Sequence, residues 1–496
     1  MKKTAMTMAI IMCAPAFCLA LQQSSEAPRR TRGPVMVDID DSDAFFNAAV
    51  HAPVPARDNT RRVEALLPRM TLEEKIGQMT QLEIGMVSSG KDQDIKIDPA
   101  KLEKAIVKYG AGSILNVKDQ ALPLEKWHDI IRKIQEASRA NYVRGSTLYP
   151  QEIGMAATWN PALMRRLAEI TAVETRAAGI PWTFSPVLDI GRQPLWPRFY
   201  ETFGEDPYLA KVMGLAFVRG IEGDDISSPS HAATSLKHYM GYSFPLNGRD
   251  RTSAWIPENH LREYFMPTFA AAIKAGARTV MINSGEINGI PGHINHHILT
   301  DILRGELGFQ GVVVSDWEDI KKLVSQWKVA VNEKEATRLA ILAGIDMSMV
   351  PSDYSFSDLL VQLVKEGRVP MSRIDEAVRR ILRLKFDLGL FENPTLSAPM
   401  TSFGTSESRQ VSLQAARESM TLLKNENNLL PLAKSRRVLV TGPTANSLVS
   451  LNNGWTYVWQ GNNADLYPKD RPTILQAIQA QVGKNVTYIR MWRLSV

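Results

Sequence analysis

Four apolar runs of this chain each end in polar or ionisable side chains. Gly311-Val312-Val313-Val314-Ser315 leads into Asp316 and Trp317, and Trp182–Leu188 leads into Asp189, with Arg192 and Arg198 in the segment that follows. Ala233-Thr234-Ser235-Leu236 leads into Lys237 and His238, and Met281-Ile282-Asn283 into Ser284 and Glu286. Three β-branched valines in a row read as a short strand buried on both faces. Groups at the same end of parallel strands converge on one mouth. A carboxylate beside an indole suits sugar chemistry. The charge can attack or stabilise a cationic anomeric carbon while the ring packs on the C–H face of the sugar. Lys, His and Arg supply several donors for hydroxyls. Each residue also has a plainer role open to it: Asp316 as a helix cap, Asp189 as an ion-pair partner of Arg192, Arg198 as a partner of Glu201 or Glu205. Four such tips together point to a site.

Other chemistries find no support in the spacing. There is no H-E-x-x-H, and the adjacent His296-His297 cannot present one face to a metal. An Asp-rich calcium loop, a G-x-S-x-G elbow and a G-x-G-x-x-G after the first strand are also absent. No metal or cofactor is called for. The net charge of +6 is small for 496 residues. Basic residues are scattered apart from Arg29-Arg30-Thr31-Arg32 and Lys434-Ser435-Arg436-Arg437, which argues against a nucleic-acid stripe or a polybasic membrane anchor.

The elements that would position these groups alternate. Strand candidates are Ile76–Gln81, Ser113–Asn116, Trp182–Leu188, Thr234–Tyr239, Thr279–Asn283, Gly311–Ser315 and Ile345–Met349. Helical patterns fall between them, at Leu124–Ser138, Pro161–Ala178, Tyr208–Gly220, Arg262–Ala275, Leu299–Leu307 and Glu333–Ala343. Such alternation predicts an α/β fold with a parallel sheet, and its length favours a (β/α)8 TIM-type barrel over residues 58–395. The strand count is seven rather than eight. The stretch from Ser113 to Trp182 is about twice the usual repeat, and Tyr142–Ile153 is the candidate for an irregular substitute. Pro370–Leu388 is a closing helix with Ile374, Val378, Ile381 and Leu384 on one stripe.

A linker over 396–407 leads to an α/β sandwich unit over 408–496. Its elements are a helix at Ser408–Leu423, a strand at Val438–Thr441, a helix at Thr473–Val482 and a strand at Val486–Ile489. This unit reads as cut short. At the other end, Lys2-Lys3, an apolar run and Cys18-Leu19-Ala20 read as a signal peptide over residues 1–20, followed by a linker over 21–57. Both cysteines, Cys13 and Cys18, lie inside that peptide, so disulfides contribute nothing afterwards. Export to a periplasm or the medium is expected, with no membrane attachment beyond the leader.

Lys237-His238-Tyr239, Arg198-Phe199-Tyr200-Glu201-Thr202-Phe203-Gly204-Glu205-Asp206-Pro207, Ile287-Asn288-Gly289-Ile290-Pro291 and Val314-Ser315-Asp316-Trp317 together resemble glycoside hydrolase family 3, and its bacterial β-glucosidases in particular. The resemblance implies retaining hydrolysis of β-glucosides or short β-glucans through a glycosyl–enzyme intermediate. It implies Asp316 as nucleophile, Arg198, Lys237 and His238 as holders of sugar hydroxyls, and Trp317 as an aromatic wall. The family's N-acetylhexosaminidases carry a histidine in the loop after their Lys-His pair. The loop Met240–Asp250 has none here, which disfavours that branch.

Two departures from the family pattern set expectations. A strand ending in a sugar-binding Asp is expected between Ile131–Ser138 and Ala140–Gln151, yet Arg139 runs straight into Ala140-Asn141-Tyr142. The family's acid/base Glu comes from further along the second domain, and Arg490–Val496 leaves the family pattern. Glu286 and Glu318 are nearby carboxylates with no motif to assign them. The expectation is an impaired hydrolase, with a sugar-binding protein lacking turnover as the alternative.

Overall fold

The computed structural model describes residues 58–90, 94–115, 122, 124–135, 146–394 and 403–490. The leader and linker over 1–57, the junction at Arg139-Ala140 and the final residues 491–496 lie outside the described residues.

Thr71 starts the first barrel helix, α1 (Leu72–Gln78), with both halves of a capping box. Its hydroxyl accepts from the Glu74 N–H at 3.2 Å, and the Glu74 carboxylate accepts from the Thr71 N–H at 2.7 Å. The cap carries the helix past Ile76, so the strand expected at Ile76–Gln81 begins only at Thr80. Strand β1 is Thr80–Glu83 and β2 is Ser113–Leu115. The remaining wall strands are β3 (Ser235–Tyr239), β4 (Thr279–Ile282), β5 (Val312–Val314) and β6 (Ser348–Met349).

All of these strands are parallel. The ladders run β2-β1-β6 and β5-β4-β3, and a bridge from Met347 to Val314 joins the two groups. Register is fixed at pairs such as Val313 with Val280 and Gln81 with Met349. The seventh position is Trp182–Leu188, which the sequence reads as a strand. It pairs with β3 and the residues just before it through isolated bridges at Trp182–Ala233 and Val187–Lys237 rather than through a ladder. Pro181 and Pro186 explain the irregularity, since neither has an N–H to donate.

This is an α/β, TIM-type wall with seven positions filled among the described residues. Helix α2 (Leu124–Gln135) follows β2, and α3 (Pro161–Ala177) precedes the Trp182 segment. Between them Ser146–Gln151 forms no ladder. Thr147 bonds Glu174 of α3 through its N–H at 2.7 Å and its hydroxyl at 2.6 Å, and Glu152 takes the N–H of Val187 at 3.1 Å. The segment is thus tied to α3 at Thr147, and the residue after it, Glu152, is tied to the Trp182 segment at Val187. Alongside it a cavity of about 1690 Å³ extends from Asp316 at the strand tips to Gln78 and Lys385 at the opposite end. There Lys385 donates to Gln78 and to the Gly112 carbonyl, and burial brings its ammonium down to about 8.

Other helices complete the ring: α4 (Pro207–Glu222), α5 (Met266–Lys274), α6 (His297–Glu306, with π-type hydrogen bonding), α7 (Glu333–Ala343) and α8 (Ser355–Lys365). The closing helix α9 (Met371–Asp387) buries Ile374, Val378, Ile381 and Leu384, the stripe expected from its sequence. Strand β5 is fully buried, with all three valines at 0 % exposure. It follows Gly311, where an added Cβ would lie 2.1 Å from the Arg278 carbonyl oxygen. Gly311→Ala should therefore cost about 1–3 kcal/mol by overpacking, read as a lowered denaturant midpoint at unchanged slope.

Beyond the barrel, α10 (Ser406–Glu418) leads to β7 (Val438–Thr441), α11 (Ile474–Val482) and β8 (Val486–Ile489). The two strands pair in parallel, and Val438, Val440, Ala445 and Leu475 form a small core beneath α11. The loop between β7 and α11 turns back to the barrel, where Gln151 donates to the Gly454 carbonyl at 3.2 Å.

Candidate active site

Strand β5 delivers Asp316 to the mouth of the cavity, 8 % exposed. Its two oxygens have different company. Oδ1 accepts the N–H of Trp317 at 2.6 Å. Oδ2 accepts the Ser284 hydroxyl at 2.8 Å and faces His238 Nε2 at 3.8 Å and Arg251 Nη2 at 4.0 Å. The backbone is held too, since the Asp316 N–H donates to His293 Nε2 at 3.2 Å. Burial opposes ionisation of this carboxyl, but the cations of Arg251 and Arg198 and the Trp317 N–H outweigh it. Asp316 therefore stays an anion far below the usual carboxylate range.

The basic groups come from neighbouring positions. Strand β3 ends in Lys237 and His238, both buried. His238 Nδ1 donates to Asp189 Oδ2 at 2.8 Å, and its Nε2 accepts from Arg198 Nη2 at 3.2 Å. Burial and the cations of Arg198 and Lys237 push the imidazole well below its ordinary value, so it is neutral with the proton on Nδ1. Burial raises the partner Asp189 to about 7. Arg198 forks onto Glu201, with Nε to Oε1 at 3.0 Å and Nη2 to Oε2 at 2.8 Å. Lys237 points into the cavity, its Nζ 5.1 Å from the Trp455 ring.

Arg198, Lys237, His238, Asp316 and Trp317 thus line one cavity, as the strand tips lead one to expect. The pairing of Arg198 with Glu201 is real, but it fixes the guanidinium at the site rather than removing it. Asp189 pairs with His238 instead of Arg192, and Arg192 lies over the Tyr264 ring at 4.3 Å. Glu286 and Glu318 are not among the cavity's lining residues. Sequence reasoning missed Glu152, Arg251, Trp455 and Trp459, which do line it. The two tryptophans come from the second-domain loop. Their only local signal is Gly454-Trp455-Thr456-Tyr457-Val458-Trp459, an aromatic-rich stretch in a polar loop.

A buried, ionised carboxylate, multi-donor cations and indole faces thus meet around one open cavity. The model of the glycosyl hydrolase family 3 N terminal domain matches residues 71–384, and that of the family's C-terminal domain matches residues 420–490. The chain is a member of glycosyl hydrolase family 3. It is 46% identical over 441 residues to the lysosomal beta glucosidase of Dictyostelium discoideum, a match covering 81% of this chain and 53% of that protein. The periplasmic beta-glucosidase of Salmonella typhimurium is 32% identical over 439 residues, covering 85% of this chain and 54% of the relative. The chain spans about half the length of these curated relatives. Among solved structures it superposes on the exo-1,3/1,4-beta-glucanase of a Pseudoalteromonas species with a TM-score of 0.77 at 30% identity, covering 90% of this chain and 58% of that one. The Listeria innocua beta-glucosidase in complex with glucose gives 0.75 at 30% identity, covering 88% and 61%. These family 3 neighbours agree with the barrel followed by an α/β sandwich.

Proposed function

We propose that this family 3 chain acts on β-glucosides or short β-glucans by retaining hydrolysis, with Asp316 as the nucleophile. The observation that carries the reading is the Asp316 carboxylate itself, ionised and oriented by Ser284 and the Trp317 N–H at the rim of the cavity. Arg198, Lys237 and His238 are the hydroxyl-binding groups, and Trp317, with Trp455 and Trp459, supplies apolar faces for sugar rings. Support for β-glucosides comes from relatives named beta-glucosidases and from the neighbour solved with glucose. Barrel bounds of 58–395 and a second unit over 408–496 follow the breaks in the sequence pattern. Export through the 1–20 leader accords with the relative named periplasmic.

A sugar-binding protein with little turnover is the second reading, favoured by the state of Glu201 and Glu152, two of the other carboxylates that line the cavity. Glu201 has both oxygens on Arg198, and Glu152 is buried against the Val187 N–H. Arg198 holds Glu201 as an anion, while Glu152, which burial raises well above the ordinary carboxylate value, is turned onto the Val187 N–H. An aryl β-glucoside with a good leaving group should therefore be cleaved, while alkyl β-glucosides should be slower by a further 10²–10⁴-fold, roughly the worth of a general acid. Steady-state rates across a leaving-group series decide between the readings. Equal rates across the series mean that an efficient acid is present, and no cleavage of any member supports binding alone.

A further inference from the structure

Arg251 stands beside Asp316 without belonging to any of the motifs above. Its Nη2 lies 4.0 Å from Asp316 Oδ2, and its Nη1 donates to Asp250 Oδ2 at 2.5 Å. Asp250 is itself fixed, because its Oδ1 accepts from the Tyr242 hydroxyl at 2.6 Å and from Trp196 Nε1 at 3.1 Å. The main chain of Arg251 is in the left-handed region at φ 54°, sparsely used by residues other than glycine. Its carbonyl is held by Gln326 Nε2 at 2.8 Å. The side chain is 24% exposed and lines the cavity, and its buried Nε has no hydrogen-bond partner. This is a cation locked in place, with donor capacity to spare, on one oxygen of the nucleophile.

The asymmetry at Asp316 matters for the two halves of a retaining reaction. In the free enzyme the carboxylate carries a full negative charge. In the glycosyl–enzyme ester that charge is gone, and in either transition state it is partial. A fixed cation near Oδ2 stabilises the full charge most and the ester least. It thus assists the step that goes from ester to partial charge, and gives no help to the step that starts from the full charge.

We propose that Arg251 is a positioning residue for the second step, holding Asp316 Oδ2 so that the carboxylate departs readily from the glycosyl–enzyme. The inference rests on the reading of Asp316 as nucleophile. In that step water adds to the anomeric carbon as the ester C–O bond breaks. The bonding pair returns to Asp316, and the proton of the water passes to solvent. Ser284 and Arg251 receive the regenerated anion on Oδ2.

The test follows adduct formation and decay separately. A 2-deoxy-2-fluoro-β-glucoside with a good leaving group is added to the full chain, and intact-protein mass reads the adduct with time, before and after removal of excess reagent. Arg251→Met should form the adduct as fast as the unsubstituted chain or faster, and lose it on the order of 10- to 100-fold more slowly. Arg251→Lys should keep most of the decay rate, and added guanidinium should restore decay in Arg251→Met. A merely structural role would not respond to guanidinium. Slower formation with unchanged decay in Arg251→Met overturns the proposal, as does unchanged kinetics in both steps or decay that guanidinium cannot restore. Absence of any adduct on the unsubstituted chain removes the nucleophile reading, and the proposal with it.

Discussion

Asp316→Asn should lower turnover of an activated aryl β-glucoside by roughly 10⁴-fold or more, since no second step can follow without a carboxylate to form the ester. The substitution is nearly isosteric. Asn can still accept the Trp317 N–H, and its amide can donate to the Ser284 hydroxyl, so folding and sugar affinity should survive. Calorimetric binding of glucose within a few-fold of the unsubstituted chain would show that the loss is chemical. Asp316→Ala offers a sharper test, because azide can enter the space the side chain leaves. Attack from that face displaces the aglycone with inversion, so the product should be the α-configured glucosyl azide. A β-configured product, or ordinary rates in either variant, rules out Asp316 as the nucleophile. The pH profile gives a second check. The charges around Asp316 hold its carboxyl far below the usual range, so loss of activity in acid should not follow titration of an ordinary carboxylate near pH 4.

Much of this site is legible in the sequence, and the limits have physical causes. Val312–Val314 between Gly311 and Asp316 is readable because consecutive valines suit only a strand buried on both faces. The Arg198–Glu201 pair is readable because the two lie three positions apart in a tight turn. The Thr71 capping box is equally visible, and weighing it above the apolar run at Ile76 places the start of β1 correctly. Pro181 and Pro186 likewise signal the broken ladder at the Trp182 segment.

What could not be read depends on distance along the chain. Asp189 finds His238 rather than Arg192 because adjacent wall positions bring residues 49 apart in sequence into contact. Arg251 sits in a polar turn whose composition says only that the chain bends there. Trp455 and Trp459 reach the cavity from the second domain, and no periodicity carries that information. The seven-position wall is countable, whereas the hold on Ser146–Gln151 is not, since it consists of side-chain bonds from Thr147 to Glu174 and, just beyond the segment, from the Val187 N–H to Glu152.

Asp346 makes the same point for stability, and it should be among the costliest residues to lose. In the sequence it is one carboxylate in the run Ile345–Met349, with nothing to distinguish it. In the structure it is fully buried at the foot of β5 and β6. Its Oδ2 accepts the Val313 N–H at 3.0 Å and Arg304 Nη2 at 2.7 Å, and its Oδ1 accepts Arg373 Nη2 at 2.9 Å and Arg380 Nη1 at 3.0 Å. The arginines belong to α6 and α9, so one carboxylate ties two helices to the strand that carries Asp316. Burial brings Arg304 down to about 10, which still leaves it charged at neutral pH. Asp346→Ala would leave Arg304 with only the Phe309 and Gly311 carbonyls, and Arg373 and Arg380 would lose their buried counter-ion and keep only Glu376 as a charged partner. Breaking a buried ion pair from one side costs about 3–5 kcal/mol, a large part of an ordinary domain's stability. The expected result is aggregation on expression or a fall of many degrees in melting temperature.

The pH dependence follows from the sign of the shift at Asp346. Burial alone would raise its pKa, but Arg304, Arg373 and Arg380 hold it below the ordinary carboxylate value. A depressed folded-state value means that the stabilisation is fully present above the unfolded pKa, about 4, and is lost as pH falls below it. Asp346→Asn keeps the shape and removes this titration. Its stability should be lower than that of the unsubstituted chain at pH 7, and the difference should shrink steadily below pH 4. A constant difference across that range would mean that the carboxylate acts here by packing rather than by charge. Arg304→Met in the same background separates the two further. If the cluster is electrostatic, losing one cation together with the carboxylate should cost less than the two single losses added, because fewer unpaired charges remain buried.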